Sequence, residues 1–148
     1  MTRIVTDLGE AKAVLDYFNG FHDGFIKRLS VISHDSFEER HVQSASQRLE
    51  VQITFAHHNY QQGARPANQL VTASFHSVMD LSVTFSGLLY EWSVYELFIV
   101  GTTRTLEDSR TEPCLKASLL QSRLTDNREW QRHEDLEFTF SYAEFDEN

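Results

Sequence analysis

Between Val71 and Phe85 the side chains alternate in a way that only an extended chain with one buried face can use. Val71, Ala73, Phe75, Ser77, Met79, Leu81, Val83 and Phe85 hold the odd positions. Thr72, Ser74, His76, Asp80, Ser82, Thr84 and Ser86 hold the even ones, with Val78 the one large apolar residue out of phase. A helix would scatter the odd set around its axis, so period two makes this a strand. Its six large apolar side chains contribute on the order of 10 kcal/mol when buried, an upper figure because the unfolded chain already hides part of them. At about 3.3 Å per residue the stretch would span about 50 Å, against a radius of gyration of about 15 Å for a compact chain of this length. It therefore coils strongly, or it is two strands meeting between Ser77 and Asp80. Unbroken parity, and a midpoint without Asn-Gly or Gly-X, favour one coiled strand.

The elements around it follow from the same periods. Thr6 or Asp7 caps a helix carrying Leu8, Ala11, Leu15 and Phe18 on one stripe, and Gly20 stands where a left-handed stop belongs. The helix is expected to lie against a sheet. Phe25 to Ser33 reads as a strand, and Arg48 to Ala56, with Leu49, Val51, Ile53 and Phe55 inward, as its antiparallel partner across a polar connection from His34 to Ser46. His57 to Asn68 is a loop. Glu91 to Val100 is apolar on both faces, which predicts a central or covered strand. Gly101 to Pro113 reads as a charged hairpin loop or excursion, Cys114 to Ser122 as a strand, Thr125 to Asp135 as a polar loop, and Leu136 to Tyr142 as the last strand. Strands in succession with no interleaved helices predict an α+β fold: one amino-terminal helix on a strongly twisted antiparallel sheet of about six strands, open or curled towards a barrel. At 148 residues one domain, 1–148, is expected.

Charge narrows the partners. The net charge is -9, and from Glu134 onward the chain holds Glu134, Asp135, Glu137, Glu144, Asp146 and Glu147 with no Lys or Arg. Phosphate binding needs clustered cations, so nucleic acid and anionic membrane are poor partners and a basic protein is a good one. Glu134, Asp135, Glu137 and Glu144 are the candidate partner-binding residues. The simpler reading is that these acids keep a small protein soluble. Leu88 to Val100, interrupted by Glu91 and Glu96, is too short to span a bilayer. A lone Cys114 and an amino terminus without an apolar core fit a cytoplasmic setting.

Chemistry-bearing patterns are few. His22-Asp23 is the most pointed polar pair: Asp23 could orient His22 as a general base, or both could satisfy loose backbone groups after the helix stop. No nucleophile elbow accompanies them. His57 and His58 point to opposite faces of a strand end, and neither His-X-His nor His-X3-His occurs, so no metal is expected unless His22, His34 and Asp80 converge from separate elements. Cys114 has no neighbouring base or cation to activate it. The six glycines form no phosphate-binding pattern, so no cofactor is expected. Tyr90, Trp92 and Tyr95 serve either as core or as binding anchors. An enzyme would need His22, Asp23 and Asp80 gathered in one pocket. A structural protein would pair a free sheet edge, or the apolar face of Glu91 to Val100, with a second copy as a homodimer.

Phe18-Asn-Gly-Phe-His-Asp-Gly-Phe-Ile26, Leu49 to Phe55 and Val71 to Val83, in that order, resemble small bacterial immunity proteins of polymorphic-toxin systems, the immunity protein fifty type. Phe21-His22-Asp23 and Val78 to Leu81 are the most specific pieces. The resemblance implies a cytosolic antidote that binds a cognate toxin and has no catalysis of its own.

Overall fold

The computed structural model describes residues 1–34, 49–58, 68–84, 93–106, 108–124 and 127–147, of which 58, 68, 122–124 and 130–133 are described by their backbone. Most of the polar connection from His34 to Ser46, most of the loop from His57 to Asn68, and Phe85, Tyr90 and Trp92 lie outside the described residues. The elements are β1 (Thr2–Val5), α1 (Leu8–Tyr17), a single 3-10 turn (Asn19–Phe21), β2 (Phe25–Ser33), β3 (Leu49–His58), β4 (Asn68–His76), β5 (Met79–Val83), β6 (Glu96–Thr105), β7 (Thr111–Leu124), β8 (Trp130–Phe140) and β9 (Tyr142–Glu147). They form a five-stranded sheet, β1-β9-β4-β3-β2, and a four-stranded sheet, β5-β8-β7-β6. Every strand pair is antiparallel.

The helix and the antiparallel pairing are as expected. The single sheet of about six strands is not: the described residues form nine strands in two sheets, and these do not close into a barrel. The sheets share one core, in which Phe75 of β4 makes edge contacts with Phe138 and Phe140 of β8.

The long alternating stretch is two strands, so the single coiled strand is corrected. After His76 the backbone takes a positive φ at Ser77 (55°) and again at Asp80 (54°), and Val78 between them is fully buried. At the bend the buried residue is therefore even (Val78) where β4 buries odd positions (Val71, Ala73, Phe75), and at the end of β5 Val83 is exposed. Parity looked continuous because β5 returns to the odd positions: Met79 and Leu81 are partly buried, and Asp80 and Ser82 are exposed. The paired segment bends at the same level, at Ser141 between β8 and β9. The ladder keeps register from Val71 opposite Glu147, through His76 opposite Tyr142, to Met79 opposite Thr139. One long two-stranded ribbon thus folds over a corner and contributes to both sheets, as in sandwiches whose strands change sheet at a bend.

Arg104 of β6 ties that corner. Its side chain is buried; Nη1 donates to the Ser77 carbonyl (2.6 Å), Nη2 to Ser141 Oγ (2.7 Å) and Nε to Glu112 (2.8 Å). Both bends of the ribbon are therefore held by one guanidinium, whose planar fork suits several acceptors at once.

Two further expectations are corrected. The segment Gly101 to Pro113 is mostly strand: β6 runs to Thr105, Leu106 N–H donates to the Arg110 carbonyl (2.7 Å), and β7 starts at Thr111. Pro113 lies beyond the end of β8, where β7 has one neighbour and a missing N–H is tolerated. The strand that is apolar on both faces, expected to be central or covered, is β6, which stands at an edge of its sheet among the described residues. Leu97 and Ile99 are buried, while Phe98 and Val100 are exposed.

Helix α1 touches β1 and β6, the edges of the two sheets. Asp7 caps it, accepting from Glu10 N–H at 2.7 Å. Its buried stripe is Ala11, Val14 and Phe18; Leu8, expected on that stripe, is about half exposed and faces β6.

Candidate functional site

The helix ends in a left-handed turn: Asn19 (φ 53°), Gly20 (60°) and Phe21 (58°) are consecutive, and Asp23 (63°) follows. Asn, Gly and Asp tolerate this region best, which accounts for their places in Phe-Asn-Gly-Phe-His-Asp-Gly. Phe21 is carried along because its ring completes the core, stacking on Phe18 and Phe55. A Cβ at Gly20 would also lie 2.7 Å from Glu96 Cγ, so that side chain would have to move to admit one. His22 Nδ1–H donates to the Tyr95 carbonyl at 2.6 Å, and its Nε2 stands 3.6 Å from the Asp23 carboxylate. The Tyr95 carbonyl, rather than Asp23, thus orients the imidazole. These contacts join the start of β2 to the approach of β6, as do the Asp23 N–H to Val94 and Val94 N–H to Gly24 bonds.

Asp80 lies elsewhere, 3.5 Å from Thr139 Oγ1, in a small cleft with Thr102, Lys116 and Glu137 on the four-stranded sheet. His34 pairs with Glu50. The contacts of His22, His34 and Asp80 are separate, and the described residues hold no group of three or more His, Cys, Asp or Glu suited to a metal ion.

The acidic candidates are dispersed. Glu134 and Glu137 share the four-stranded sheet with Lys116, whose ammonium is 2.6 Å from Glu137. That contact holds Glu137 below the ordinary carboxylate range, and hydrogen bonding to Glu137 holds Glu134 above it. Asp135 is buried and accepts from Thr84 Oγ1 at 3.1 Å, so it is a structural carboxylate. Glu144 belongs to the other sheet, 4.0 Å from His76. Sequence adjacency does not make one acidic patch, because neighbouring residues on a strand face opposite sides and the chain changes sheet at Ser141.

Glu50 is the centre of a polar cluster that spacing did not reveal. It lies on β3 in contact with His34 Nε2 (2.6 Å) and accepts from Gln52 Nε2 (2.8 Å). Burial opposes its charge, and the bonds from Gln52 and His34 outweigh burial, so its pKa is lowered. Burial pushes the Cys114 thiol up, away from the reactive thiolate. Buried His57 packs against the rings of Phe18 and Phe21.

A groove of about 470 Å³ opens between α1 and β6. Leu8, Lys12, Leu15 and Asp16 form one wall, Glu96 to Val100 the other, and Asn19 and Gly20 the end. Leu8 (49 %), Phe98 (39 %) and Val100 (49 %) leave their apolar surface to solvent. Lys12 pairs with Asp16 at 3.0 Å, while the Glu96 carboxylate has no ion-pair partner among the described residues. The apolar faces of Glu91 to Val100 marked one wall of this site in the sequence, as a surface for a second copy; the wall supplied by α1 was not legible there, and one cover of the strand is lacking among the described residues. No family model matches the chain, and neither a curated protein nor a solved structure matches it.

Proposed function

We propose that this chain is a non-enzymatic protein-binding module whose partner seats on the α1–β6 groove. The observation that supports this is the apolar row Leu8, Phe98 and Val100, exposed beside a sheet edge. Such a row is an aggregation hazard unless a partner covers it. The net charge of -9 favours a basic partner and would steer its approach. Within this class, the likeness of Phe21-His22-Asp23 and Val78 to Leu81 to immunity proteins adds the narrower reading of a cytoplasmic antidote to a toxin.

The test begins with affinity capture from lysate of the source organism at low and raised salt, followed by reconstitution with the purified partner. A stoichiometric, salt-sensitive complex is expected, and Phe98→Asp combined with Val100→Asp should weaken it roughly tenfold or more with an unchanged melting curve. Absence of a reconstituted complex, or a complex indifferent to both substitutions, would overturn the reading.

A further inference from the structure

Resting on that binding reading, we infer that the groove takes an extended segment of the partner that adds as a strand to the free edge of β6, with a Lys or Arg side chain meeting Glu96. An edge strand presents a row of backbone N–H and C=O groups, and strand addition uses them for affinity while pockets for alternate side chains set specificity. Among the described residues β6 has one strand neighbour, β7, and its far side borders the groove. Residues Glu96 to Val100 give a docking length of about 17 Å, close to an ordinary strand.

The two walls differ in a way that selects the occupant. Helix α1 supplies Leu8 and Leu15, and the strand supplies Phe98 and Val100, which suits apolar side chains on the incoming segment. At the other end the Glu96 carboxylate lies against the glycine turn, and Asp16 is already neutralised by Lys12. Among the described residues the groove therefore holds one uncompensated negative charge beside an apolar floor. A second copy of this chain is the wrong occupant: it brings a net charge of -9 and its own Glu96 to the same edge. A basic-apolar segment of another protein brings the complement.

The inference is tested on the purified full chain with a displayed library of random nine-residue peptides, then with synthetic copies of the enriched sequences. Enriched peptides should alternate apolar residues and carry Lys or Arg at one fixed place. Methylation of the peptide backbone nitrogens should abolish binding at every second position and leave the positions between unaffected, because alternate N–H groups face β6. Glu96→Gln should weaken binding roughly three- to tenfold, and Glu96→Lys should turn the selected pool from basic to acidic.

Failure to enrich any peptide would overturn the inference. So would methylation effects without period two, binding indifferent to both Glu96 variants, or light scattering that shows a dimer through this edge. If the Phe98→Asp, Val100→Asp pair still abolishes the natural complex while any of these failures occurs, the binding reading stands and the strand-addition mode falls. If the natural complex is itself absent, the reading falls first.

Discussion

At the scale of single residues, the His22-Asp23 pair sits in a tight turn, and a less conspicuous carboxylate, Glu50, has the perturbed environment. His22 and Asp23 serve a left-handed turn that Asn19, Gly20 and Asp23 make readable in the sequence, since few residue types adopt positive φ at low cost. Glu50 was not readable: its partners His34 and Gln52 meet it only after β2 and β3 pair. Its folded-state pKa lies below the ordinary 4.5, so its contribution to stability is complete above that value and is lost as pH falls through the lower folded value. Glu50→Gln should therefore lower the urea midpoint at neutral pH and flatten the decline in stability below about pH 4.5. Urea titrations across pH check this, and an unchanged slope would show that Glu50 is not the stabilised group.

At the scale of elements, helix and strand identities were legible and neighbours were not. Helix α1 carries its start signal in Asp7, whose carboxylate accepts from Glu10 N–H, and Thr6 bonds only the Glu10 side chain. Asp7→Ala should destabilise the fold by about 1 kcal/mol, with Thr6→Ala costing less, as measured by urea unfolding. Equal losses would mean that Thr6 shares the cap. Strands β2 and β3 match their expected ranges closely, and in β3 one face is cleanly apolar. Strand β6 misled for the opposite reason. Apolar residues on both faces signal cover, and composition does not say whether the cover belongs to the same chain.

At the scale of the molecule, the deciding feature is the ribbon β4-β5/β8-β9 folding between two sheets. Arg104 holds both bends, and removing it leaves the Ser77 carbonyl and Ser141 hydroxyl without this donor. Arg104→Ala should cost about 3 kcal/mol, since hydrogen bonds to charged groups are worth about 1.5–3 kcal/mol each and exposed Glu112 regains water. Arg104→Lys should recover part of this, because one ammonium cannot reproduce a planar fork. Urea denaturation of both variants checks the corner, and a fully stable Lys variant would show that the fork geometry is dispensable.

Local periodicity by itself determined the amino-terminal helix with its cap and stop and the strand character of most segments. Those properties depend on residues close together in the chain, where turn chemistry and side-chain period act directly. Tertiary structure alone decided that the strands divide between two sheets, that Arg104 joins their bends, that Asp135 is buried while Glu134 is not, and that Leu8 meets Phe98 and Val100 across an open groove. Each of these depends on residues brought together from distant positions, and the two-residue period of a strand is the same on either side of a corner that moves it to another sheet.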